Sequence, residues 1–164
     1  MSRPIAGVMG PGEGAGPADL TNAFHLGRLL AEEGWVVLSG GRDAGVMREV
    51  NRGAKAVAGS LTVGVLPSAS APVAPGVDVA IVTEMHNARN NINILSSHVV
   101  IACGVGGPGT ASEVALALKA GKPVVLLGAD ELSRSFFQRL GKGGVIVVES
   151  PQAAVAAARQ FRPG

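Results

Sequence analysis

The sequence predicts a three-layer α/β domain with a doubly wound, mostly parallel sheet. Three observations carry this. Short apolar runs rich in β-branched residues alternate with stretches of helical periodicity along all 164 residues. The runs show little polar alternation, as strands covered on both faces do. Glycine-rich junctions separate several strands from the helices after them, where a parallel sheet makes its turns. At 47% hydrophobic residues the chain has enough apolar mass for one core, and it reads as a single domain over 1–164.

The elements follow in order. Ile5–Met9 is the first strand, and the next helix takes Pro17 as its first residue and Gly34 as its stop. Trp35–Ser39 is the second strand. The second helix carries Val46, Val50, Ala54 and Val57 on one stripe, with Arg48, Arg52 and Lys55 elsewhere. Leu61–Leu66 and Val79–Val82 are strands separated by the one long loop, "PSASAPVAPG". "HNARNNINILSS" (86–97) is an unusual helix: Asn90, Asn91 and Asn93 are poor helix formers, while Ile92 and Leu95 supply an apolar stripe. Its asparagines either lie in solvent or read the edge of a heterocycle. Val99–Ala102 is the fifth strand, and the fourth helix ends at Gly121 and Pro123. Val124–Leu127 and Val145–Val148 complete the sheet. Between them a helix aligns Leu132, Phe136 and Leu140, and the last helix starts at Ser150–Pro151.

Composition narrows the function. Charged residues are 16% and the net charge is +2, a mild bias that argues against nucleic acid as a partner. Aromatics are 3%, with no tyrosine, too few to stack unpaired bases. No apolar run approaches the roughly 18 residues of a membrane span, so no membrane partner is expected. The single cysteine, Cys103, allows no internal disulfide and suits a cytoplasmic location. His25, His86 and His98 share no metal-ligand spacing, with His25 expected among core residues. Cys103 reads as a small core residue, and no metal site is expected.

Three loops follow strands and precede helices: "GPGEGAGPAD" (10–19), "SGGRDAGVM" (39–47) and "GVGGPGTASE" (104–113). Right-handed crossovers place all three at the C-terminal edge of the sheet, where ligands of open α/β sheets bind. Backbone N–H groups and helix N-termini there suit an anion such as a phosphate. The candidate binding residues are Gly10 and Gly12 in the first loop. The second supplies Ser39, Gly40, Gly41 and Arg42, and the third Gly106, Gly107, Gly109 and Thr110. Arg89 adds a second guanidinium. No loop carries the lysine of a Walker motif. The strand-two acid that would hold a dinucleotide ribose is replaced by Ser39-Gly40-Gly41-Arg42, which argues against NAD. Thr110-x-x-Glu113 fits a capping box. Alternatively Glu113 faces the pocket, to bind sugar hydroxyls or stabilise a ribosyl cation.

"SGGRDAGVM" and "GGPGTASE" resemble the paired motifs GGGxxGLM and PGGxGTxxE of the LOG-type (lonely guy) Rossmann-like proteins, often labelled lysine decarboxylases. "GVMGPG", "ARNNINILSS" and "GPGTASEVALALKAGKPVVLLG" resemble more closely the molybdenum cofactor carrier branch of that superfamily. The resemblance runs from residue 4 to about 128. For the LOG enzymes it implies release of a base from a nucleoside 5′-monophosphate, with Arg89 and Glu113 as the catalytic pair. Around that pair "MHNARN" has an extra residue and Asn90 in place of lysine. Val105 and Pro108 replace the motif's proline and tyrosine, and Arg42 stands at its third glycine. For the carriers it implies a cytoplasmic homo-oligomer, dimer or tetramer. Such a protein holds and protects the molybdenum cofactor, a phosphorylated pterin (molybdopterin), for transfer to apo-molybdoenzymes.

Overall fold

The computed structural model describes residues 3–164. Seven strands form one sheet: β1 (Ile5–Met9), β2 (Val36–Ser39), β3 (Leu61–Leu66), β4 (Val79–Val82), β5 (Val99–Cys103), β6 (Val124–Leu127) and β7 (Val145–Val148). Their spatial order is β4-β3-β2-β1-β5-β6-β7, and every neighbouring pair is parallel. The chain winds outward from β1 in one direction and then from β5 in the other, so the order reverses between these two strands.

Six helices cover the sheet: α1 (Pro17–Glu32), α2 (Gly45–Lys55), α3 (Asn90–Ser96), α4 (Pro108–Lys119), α5 (Glu131–Gly141) and α6 (Pro151–Ala158). Leu26 and Leu30 of α1, Val46 and Val50 of α2 and Val155 of α6 pack on Val8, Val37 and Ile101. On the opposite face Ile94 of α3, Val114 of α4 and Phe137 of α5 pack on Met9, Val100 and Leu126. Successive residues of one strand thus serve opposite layers, which explains why the central runs lack alternation. Each fully buried aliphatic side chain contributes about 1.5–3 kcal/mol relative to exposure.

The helix boundaries follow local chemistry. Pro17, Pro108 and Pro151 each open a helix, where the missing N–H costs nothing. Ser150 accepts from the Ala153 amide at 3.2 Å, and Asp130 from that of Ser133 at 3.0 Å, capping α6 and α5. Gly34 takes φ +77° just past α1.

Four expectations change. All four residues of β4 are exposed, because β4 is an edge strand paired only with β3. The α5 stripe of Leu132, Phe136 and Leu140 faces outward, at 81%, 45% and 48% exposure. This helix lies at the β7 end of the sheet, and Phe137 alone among its residues is buried. In α3 Ile92 packs half-buried against the core as expected, Ile94 and Asn93 are fully buried beside it, and Leu95 is exposed. His25 is exposed on the outer side of α1, edge-on to Phe24 with ring centroids 5.8 Å apart. Among the described residues no helix is long and apolar enough to cross a membrane.

Candidate functional site

Where the strand order reverses, the loops after β1 and β5 part and leave a crevice. A cavity of about 270 Å³ lies there, reached by all three glycine-rich loops. The loop after β1 contributes Gly10, Gly12 and Glu13; the loop after β2 contributes Gly40 and Arg42. Gly106 and Gly107, with Gly109 and Thr110 in the first turn of α4, form the opposite wall. Glu113 lies one turn deeper, and Arg89 enters from the single 3₁₀ turn His86–Arg89 before α3.

Ser39 and Gly41 are placed outside the lining. Ser39 is fully buried, and its Oγ accepts from the Gly41 amide at 3.2 Å and from Asn51 Nδ2 at 3.1 Å. Gly41 sits at φ +72°, and a Cβ there would lie 2.8 Å from the Cα of Gly64. The two residues shape the second loop from beneath. Gly10 is confined as tightly: a Cβ would meet the Cys103 carbonyl oxygen at 2.7 Å and Val46 Cγ1 at 2.6 Å. Its bareness lets the ends of β1 and β5 and the start of α2 close together.

Electrostatics differ around the cavity. The N-cap of α4 is Gly107, which offers no side chain to the amides behind it. The first-turn N–H groups of Gly109 and Thr110 have no acceptor within the helix, so the positive helix end faces the cavity. Because α4 begins at Pro108, Thr110 is its third residue and not a cap. The capping-box reading of Thr110 and Glu113 therefore gives way to a Glu113 that lines the cavity.

Arg89 is 8% exposed. Its Nη1 donates to Asn90 Oδ1 at 2.9 Å and its Nη2 to the Gly40 carbonyl at 3.4 Å, while Nε has no partner among the described residues. Burial pulls its pKa down, opposed by the Glu113 carboxylate, yet a guanidinium stays charged. Glu113 is 8% exposed and accepts from Asn93 Nδ2 at 3.3 Å. Burial pushes its pKa up to about 7, against the lowering pull of Asn93 and Arg89. At the mouth, Arg42 pairs with Glu13. A hydrogen bond to its own backbone, then the Arg42 guanidinium, hold Glu13 below the ordinary carboxylate value. The cavity thus combines fixed positive groups with one deep carboxyl poised to gain or lose a proton near neutrality.

Two participants were not legible as such in the sequence. Asn93 is fully buried outside the lining and donates to Glu113, whereas Asn90 lines the cavity while accepting from Arg89 and donating to Ser112 Oγ at 3.3 Å. Glu13 is the other; its position between two glycines, at the tip of a loop opposite an arginine-bearing loop, was the available signal. Cys103 lies outside the lining, fully buried, with Sγ 3.5 Å from the Asp19 carbonyl oxygen. Burial pushes its thiol up to about 12.

Comparison with known proteins fits this geometry. The fold matches the molybdenum cofactor binding protein of the phototrophic bacterium Rippkaea orientalis at 54% identity, covering 98% of both chains with a TM-score of 0.93. It matches the molybdenum cofactor carrier protein of Chlamydomonas reinhardtii at 50% identity and TM-score 0.90, covering 97% of this chain and 98% of that one. An uncharacterized protein of Archaeoglobus fulgidus is 38% identical over 149 residues, 91% of this chain and 90% of its own length. Residues 3–155 match the SLOG cluster4 family, and the chain belongs to it.

Proposed function

We propose that this chain holds the molybdenum cofactor at the C-terminal edge of its sheet and protects it until transfer to apo-molybdoenzymes. The observation that carries this reading is the meeting of three glycine-rich loops, far apart in the sequence, around one cavity at the β1–β5 reversal. The similarity to proteins described as binding or carrying that cofactor supports it. In this reading the amides around Gly10, Gly12, Gly40, Gly107, Gly109 and Thr110 surround the phosphate of the pterin, and Arg42 and Arg89 neutralise its charge. Holding a ligand needs no group reserved for a transition state. The protein acts as a cytoplasmic homo-oligomer of single-domain subunits, in which the outward apolar residues of α5 and β4 are covered.

The test is protection. Molybdenum cofactor is incubated with and without the protein, and the cofactor still able to activate an apo-molybdoenzyme is followed with time. Slower loss with the protein is expected, and equal loss defeats the reading.

A second reading, a nucleoside 5′-monophosphate phosphoribohydrolase, is favoured by one observation: Glu113 lines the cavity beside Arg89 instead of capping its helix. There a carboxylate would face the developing ribosyl cation. Free adenine released from AMP, and lost in Glu113→Ala, distinguishes it.

A further inference from the structure

The Arg42–Glu13 pair spans the mouth of the cavity, and its two halves are held very differently. Arg42 is clamped by its own backbone. It forms a β-bridge with Val73, flanked by hydrogen bonds from the Asp43 amide to Pro72 and from the Ala74 amide to Gly41, both at 2.8 Å. Glu13 sits between Gly12 and Gly14 with its side chain 77% exposed. If the pair opens, Glu13 is therefore the partner that moves. The pair is also a partition. Glu13 and Arg42 face the cavity on one side, and on the other they border a depression of about 290 Å³ floored by Pro67, Ala71 and Pro72.

We propose that Glu13 selects what the cavity accepts. Its carboxylate holds the anion position at Arg42 in the empty protein, and a phosphate-class dianion displaces it. Displacement joins the cavity to the Pro67–Pro72 shelf, on which the heterocycle of a phosphorylated ligand lies. The inference rests on the anion-site reading of the cavity and not on the identity of the pterin. Charge supplies the selectivity. A phosphomonoester carries about −1.5 to −2 at neutral pH against the single charge of a carboxylate, and a neutral nucleoside has nothing to offer Arg42. The contact to be broken is solvent-exposed and weak, so the barrier to a true ligand is low. The apolar shelf gives a flat ring a surface to cover once Glu13 has left.

Calorimetric titration with inorganic phosphate and with AMP tests this on the native protein, Glu13→Gln, and Glu13→Gln with Arg42→Gln. Glu13→Gln is expected to bind both ligands about two- to five-fold more tightly, as loss of an exposed competing ion pair allows. The gain disappears in the double variant. Equal phosphate affinity in Glu13→Gln and the native protein, or no binding by either, overturns the proposal. Ala71→Asp tests the shelf: weaker AMP binding with unchanged phosphate binding supports it, and unchanged AMP binding overturns it. The cofactor assay is read separately. Failed protection with the phosphate gain intact removes the cargo and keeps the selector, whereas protection without the gain removes the selector alone.

Discussion

At the floor of the cavity Glu113 shares a buried pocket with Arg89 and Asn93; at its mouth Glu13 reaches Arg42 in water. Both regions pair an acid with an arginine, yet they hold opposite protonation tendencies. Burial raises the deep carboxyl to about 7, and hydrogen bonds in the open hold the outer one below its ordinary value. Surroundings and not residue type set the charge. The floor invests fold stability in a group that is partly neutral at pH 7, and the mouth keeps a full charge at little cost.

The largest expected effect tests the floor. In the unfolded chain Glu113 ionises near its ordinary 4.5, and in the folded protein near 7. Between those values the folded state binds more protons than the unfolded state, so stability falls as pH rises through this window and levels off above it. Glu113→Gln removes that slope. Above pH 8 it is expected to exceed the native protein by on the order of 2–3 kcal/mol in urea unfolding. The margin shrinks as pH falls and vanishes by about 4.5. An unchanged slope would break the contrast between floor and mouth.

A smaller effect follows from Asn93, whose amide favours the charged form of Glu113 from 3.3 Å. Asn93→Ala is expected to move the Glu113 titration further up, read by carbon NMR of the carboxyl, and to cost about 1–3 kcal/mol as a buried hydrogen bond is lost. A downward move would show that Asn93 acts on Glu113 otherwise than by donating to it. The smallest effect belongs to the mouth. Glu13→Gln is expected to change unfolding stability by less than about 0.5 kcal/mol, because exposed ion pairs contribute little. A larger loss would make Glu13 a structural residue.

Most of the sheet was legible because burial on both faces of its central strands leaves a plain mark in the sequence. Ile5–Met9, Leu61–Leu66, Val79–Val82, Val124–Leu127 and Val145–Val148 are strands at the residues expected, and Trp35–Ser39 and Val99–Ala102 differ by one residue each. What apolar periodicity does not disclose is which side of a helix meets the sheet. The spacing of Leu132, Phe136 and Leu140 does make a stripe, and the stripe faces outward. β4 carries the composition of a core strand at the edge of the sheet. Within the cavity, glycine spacing and chain topology indicated which loops meet. The partners of Glu113 depended on where α4 begins. Pro108 advanced that start by three residues and turned Thr110 from a cap into a helical residue. Asn93 and Glu113 touch across 20 residues of sequence, a contact no local pattern encodes.

The scattering of the cavity walls has a consequence for synthesis. Its first wall leaves the ribosome with residues 10–14, and the last waits for Glu113. A nascent chain that ends before Val99 has no β5 to set beside β1, and one that ends before Glu113 still lacks the last wall of the receptacle. Cargo can therefore engage only a polypeptide whose central strands are already paired, and its arrival would tighten the whole fold by mass action rather than template its assembly.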